Sequence, residues 1–145
     1  MTQPRRIDVL LDQYADSHRN PTNELIHVVC VPLIVFTLLG ILWSIHPLLA
    51  WAAGLATLAW YGRLSLPFAA GMLALFLAMM GLLSLMPPLT VLPLSIAIFV
   101  VAWIGQFIGH KIEGKKPSFL DDVRFLLVGP LFVLGFLYRR LHVAY

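Results

Sequence analysis

His18 and His27 bracket the stretch HRNPTNELIH, and His110 with Glu113 closes WIGQFIGHKIEGKKP far downstream. Three imidazoles and a carboxylate are a plausible ligand set for iron(II), zinc or manganese. Two histidines and one carboxylate with open positions is the arrangement of non-haem iron oxygenases. The same ligands around an activated water would suit a zinc hydrolase. Local spacing alone does not choose between them: HExxH is absent, and a single His-x-x-Glu is common by chance. What decides is whether the elements carrying these residues bring them together.

Those elements are apolar. Of 145 residues, 60% are hydrophobic and 12% charged, a balance that soluble domains of this size seldom reach. Between Glu24 and Lys111 the only formally charged side chain is Arg63. The chain therefore reads as an all-α integral membrane protein forming a single domain over residues 1–145. No small-residue cleavage pattern follows the first apolar run, which argues against a removable signal peptide. Cys30 stands alone, so no intramolecular disulfide forms. No basic run interleaved with aromatics points to nucleic acid.

Apolar runs cover Val28 to Ile45, Leu48 to Tyr61, Pro67 to Met86, Leu89 to Ile108 and Phe125 to Tyr138. At 1.5 Å per residue the first, third and fourth give about 27 to 30 Å, enough for a hydrocarbon core of roughly 30 Å. The second gives about 21 Å unless it borrows Pro47 and Gly62. Residues 23–109 are thus expected to form four spans arranged as two hairpins. A polar segment, 110–124, follows. The last run, in 125–145, contains Pro130 and ends at Arg139 and Arg140, so it is expected to be re-entrant or interfacial, with a fifth span as the alternative.

Basic residues fix an orientation. Arg5, Arg6, Arg19, Arg63, Lys111, Lys115, Lys116 and Arg124 all fall on one side of a four-span arrangement, which places the N-terminus in the cytoplasm. Before the first span, Ile7, Leu11, Tyr14 and His18 recur at helical spacing, predicting an amphipathic helix within 1–20 that lies on the membrane surface or on the bundle. Pro21 should end it, and Thr22 or Asn23 should cap the next helix. Gln106, His110 and Glu113 share one helix face, as do Asn23 and His27. An even number of crossings returns the chain to its starting side, so His18, His27, His110 and Glu113 are placed at one depth near the cytoplasmic surface. Gly105 and Gly109 would let another helix approach His110 closely. His46 and His142 fall outside this set and read as structural, and Met72, Met79, Met80 and Met86 as packing.

HRNPTNELIH followed by VVCVP, together with WIGQFIGHKIEGKKPSFLDD, resembles the paired signature of the 2-hydroxy fatty acid dioxygenase family, and the similarity of pattern runs over nearly the whole chain. The resemblance implies an iron(II)-dependent, membrane-embedded oxygenase that uses dioxygen as co-substrate and shortens a 2-hydroxy fatty acid by one carbon. Its essential histidines map onto His18, His27 and His110. Glu113 would complete the shell or orient an imidazole from behind. Asn20, Asn23 and Gln106 become candidates for hydrogen bonds to the head group or the ligands, and Arg19 or Lys115 for balancing the carboxylate. Such an acid keeps its polar end at head-group depth and its tail in the bilayer, the depth assigned to the histidines. The membrane would be a bacterial inner membrane, or the endoplasmic reticulum in a eukaryote. The competing readings are a zinc-dependent lipid hydrolase and a non-catalytic lipid-binding protein.

Overall fold

Prolines open the long helices, where a missing N–H is no loss. The computed structural model describes residues 4–145 and contains α1 (Arg6–Ala15), α2 (Pro21–Ile45), α3 (Pro47–Leu64), α4 (Leu66–Leu85), α5 (Pro88–Glu113) and α6 (Phe125–Arg140), with a 3₁₀ turn at Ser118–Leu120. Asn20 caps α2 through a bond from the Thr22 amide, 2.9 Å. The expected caps were Thr22 and Asn23; with Pro21 at the first helical position, the cap falls one residue before it. His46 caps α3 in the same way, accepting from the Leu48 amide at 3.2 Å, which gives this histidine its structural role. Gly114 ends α5 in the left-handed conformation, φ 74°, immediately after Glu113.

Three helices, α2, α4 and α5, are long and apolar enough to cross a membrane. Their 25, 20 and 26 residues correspond to about 37, 30 and 39 Å. The second run does recruit Pro47 and Gly62, giving α3 18 residues, yet α3 is not among the three.

The expected pair of hairpins is half present. α2 packs on α3 and α3 on α4, but α5 lies along α2 and not back along α4. Small residues explain this choice. A Cβ added to Gly40 would meet Ser95 Oγ at 2.2 Å, one on Gly105 would meet Cys30 Sγ at 2.8 Å, and one on Gly109 would meet Asn23 Oδ1 at 2.4 Å. The two helices therefore run antiparallel in close contact along most of their length, as small-residue faces permit in lipid. Gly109→Val is expected to force them apart and destabilise the protein by about 1–3 kcal/mol. Gly62→Ala, inside α3 with nothing within 4 Å of the added atom, should cost no stability and gain up to about 1 kcal/mol. Thermal unfolding of the two variants in detergent checks both.

α1 is shorter than the amphipathic helix read from the sequence, ending at Ala15, and residues 16–20 link it to α2. It lies on the bundle: Ile7, Leu10 and Tyr14 are buried, with Leu10 and Tyr14 packed among Val128 and Phe132 of α6. The other side of α6 packs Leu131 against Tyr61, Phe68 and Met72. Both ends of the C-terminal segment stay beside the N-terminal elements. Lys115 Nζ donates to the Asp16 carbonyl at 2.6 Å, Arg139 faces Glu24 at 3.9 Å, and Arg5 donates to the Tyr145 carbonyl at 2.8 Å.

Candidate metal centre

Three separate segments deliver the three histidines. His27 stands on the buried face of α2, one turn beyond Asn23. His110 stands one turn before the end of α5, and His18 comes from the 16–20 linker. Antiparallel pairing of α2 and α5 sets His27 and His110 at the same end, and their ring centroids are 4.9 Å apart. His18 closes the cluster at 4.1 Å from His27 and 5.0 Å from His110, each pair nearly perpendicular. One ring nitrogen from each lies within 4.8 Å of the others. The exposures are 5%, 1% and 5%, so water satisfies little of their polarity.

The tautomers follow from backbone contacts. His18 Nδ1 donates to the Tyr14 carbonyl at 2.7 Å, and His27 Nδ1 to the Asn23 carbonyl at 2.9 Å. A carbonyl only accepts, so each neutral ring keeps its lone pair on Nε2. His18 Nε2 and His110 Nδ1 are buried without a hydrogen-bond partner among the described residues. Burial pushes His18 down to about 4, leaving a neutral imidazole at physiological pH, the form that binds metal. Tyr14 stacks on its ring, centroids 4.2 Å apart and 7° from parallel, with Phe132 on another side at 5.5 Å.

Glu113 is not among the atoms that gather. Its Oε1 accepts from the Arg19 amide at 3.0 Å, and its Oε2 accepts from the Asn20 amide at 2.9 Å and from Asn23 Nδ2 at 3.1 Å. The carboxylate pins the 19–23 segment, with His18 just before it and His27 one turn after. Asn23, fully buried, also donates to the Ser17 carbonyl at 3.1 Å, tying the linker to α2. The remaining expected site residues divide. Gln106 lines a cavity beside His27 and His110. Asn20 spends its side chain on the helix cap. Arg19 pairs outside with Asp16 at 2.5 Å, and Lys115 is bonded to the Asp16 carbonyl.

Sequence reasoning passed over Tyr14 as a wall of the site, and Trp103 and Ser118 as its neighbours. Trp103 precedes Gln106 and His110 by three and seven, the spacing of one helix face. That signal was available. Ser118 carries none, because only the fold brings the 3₁₀ turn against α5, where Phe119 meets Trp103 edge-on at 5.1 Å.

An all-helical chain with membrane-length helices and three buried, facing imidazoles at one end is a candidate membrane metalloprotein. It belongs to the Mpo1-like family: the family model described as 2-hydroxy-palmitic acid dioxygenase Mpo1-like matches residues 5–141. The chain is 33% identical over 129 residues to the 2-hydroxy-palmitic acid dioxygenase MPO1 of Saccharomyces cerevisiae, an alignment covering 83% of this chain and 73% of that protein. No solved structure matches.

Proposed function

We propose that this protein is a membrane-embedded, iron(II)-dependent dioxygenase that shortens long-chain 2-hydroxy fatty acids by one carbon at the membrane–cytoplasm interface. The observation that carries the reading is the meeting of His18, His27 and His110. The residues fit a metal. Two imidazole nitrogens sharing a cation at about 2.1 Å each can be no more than about 4.2 Å apart, so ring nitrogens already within 4.8 Å need only a small adjustment. The orphaned nitrogens of His18 and His110 would gain the partner they lack. Kinship with a protein named for 2-hydroxy-palmitic acid dioxygenation supports iron over other metals that imidazoles accept.

When bound, iron(II) supplies the one-electron chemistry that lets dioxygen react with an organic substrate. The protein's part is to present ligands and keep the site dry. Carbonyls of Tyr14 and Asn23 hold two rings in the tautomer that offers Nε2. Glu113 holds the segment that carries them in place. Tyr14 and Phe132 shield His18. On this reading α2 to α5 are the four spans, α6 is re-entrant, and the basic residues put the site on the cytoplasmic side. A zinc hydrolase would need a free base beside the metal, and Glu113, the one carboxylate on the helix that carries His110, is already engaged by three donors.

The test is anaerobic purification with metal analysis, then iron(II) addition and oxygen uptake with a long-chain 2-hydroxy acid. Consumption of one dioxygen per acid, with release of the acid one carbon shorter, the lost carboxyl carbon as carbon dioxide and one water, is the expected result. Zinc occupancy with no oxygen uptake would overturn it in favour of hydrolysis.

A further inference from the structure

A cavity of about 250 Å³ opens beside His27 and His110, between α2, α5 and the segment running from Pro117 into α6. No residue lining it carries a formal charge. Four of the residues that line it each carry a buried polar atom without a partner among the described residues: Trp103 Nε1, Gln106 Nε2, Ser118 Oγ and His110 Nδ1. Buried polar groups are nearly always satisfied, so such a concentration marks a place where something else supplies the partners. Gln106 and Ser118 are 5% and 6% exposed, which leaves bulk water little access.

The kind of partner follows from the donors. An indole N–H donates only, and the Ser118 hydroxyl and Gln106 amide can donate alongside it. Three donors next to a cluster of imidazoles suit a group that is rich in acceptors. From there the cavity becomes apolar, along Val31, Val35 and Leu38 of α2 and Phe99 of α5. Leu38 lies eleven residues beyond His27, and Phe99 eleven before His110, so this wall extends about 16 Å from the histidines.

We propose that Trp103, Gln106 and Ser118 form the cradle for the carboxylate of a long-chain acid, whose alkyl tail lies along α2 and α5 towards Leu38 and Phe99. The identity of the acid rests on the oxygenase reading, but the cradle and channel rest on the unpartnered donors and the shape of the cavity. Arg19 and Lys115, the cations expected to balance the carboxylate, are absent from this lining. Recognition of the head group is by neutral donors beside the metal.

The test is equilibrium binding to the full chain in nanodiscs without oxygen, both metal-free and iron(II)-loaded. The ligands are 2-hydroxyhexadecanoic acid and hexadecane-1,2-diol, which keeps the tail and the 2-hydroxyl but lacks the carboxylate. The Trp103→Phe/Ser118→Ala double variant is expected to bind the acid about 10- to 100-fold more weakly while its diol affinity and melting temperature stay as in the wild type. Leu38→Trp is expected to weaken long acids and spare short ones. Equal weakening of acid and diol, or no change in either, overturns the cradle, and the donors are then satisfied by water. Carboxylate-selective binding without oxygen uptake would sustain the cradle and sink the oxygenase. Oxygen uptake with unchanged acid binding in the double variant would do the reverse.

Discussion

His27→Ala is expected to abolish metal binding, lowering iron(II) affinity by more than about 100-fold, since even supporting residues behind ligands are worth 10- to 100-fold. The ring is 1% exposed and faces both other imidazoles, so no neighbouring side chain can take its place. Stability should report the same loss. A ligand that binds only the folded form at a hundred times its dissociation constant stabilises by about 2.7 kcal/mol. Wild-type protein should therefore melt higher after anaerobic iron(II) addition, and the variant should not. His18→Ala and His110→Ala are expected to behave alike. His46→Ala is the control, because it removes only the cap of α3, costing about 1 kcal/mol with the iron-dependent shift intact. Retention of one tightly held iron by His27→Ala would refute the centre.

Removing Glu113 should separate positioning from ligation. Glu113→Ala leaves two backbone amides and Asn23 Nδ2 without their acceptor. Partly solvated bonds of this kind are together worth about 1–3 kcal/mol. The linker carrying His18 and the first turns of α2 would then loosen, and iron affinity is expected to fall about 10- to 100-fold without vanishing. Glu113→Gln keeps one good acceptor and should recover much of that affinity. Metal titration with thermal unfolding of each variant checks the outcome. Should Glu113→Gln lose iron as completely as His27→Ala, the carboxylate is itself a ligand, and its place on the linker amides belongs to the metal-free form alone.

The meeting of His18, His27 and His110 was expected from a four-span reading, in which an even number of crossings returns the chain to its starting side. On that expectation His27 and His110 share one end, and Gly105 and Gly109 announced the close approach of a second helix. The role of Glu113 was not decidable, since its spacing from His110 places it on the same face whether it points to a metal or to a neighbouring backbone. The latch to Arg19, Asn20 and Asn23 joins segments about ninety residues apart. Helical periodicity carries no information at that range. The same limit hid the pairing of α5 with α2. Short connections suggest that neighbours in sequence pack together, whereas the small residues opposed at Gly40, Gly105 and Gly109 bring two distant helices closer than either approaches α4.

By itself, the sequence determined the apolar helices, the shared end expected for the histidines and the family to which their motifs belong. These are consequences of local chemistry: hydropathy, backbone geometry and the number of turns between side chains. Only the tertiary structure decided which atoms meet. It turned the His18 and His27 rings by bonding each Nδ1 to a backbone carbonyl, engaged Glu113 with the linker, and brought Ser118 beside Trp103. Such directions come from packing between segments remote along the chain, because a hydrogen bond or a buried ring is satisfied by whatever lies next to it in space.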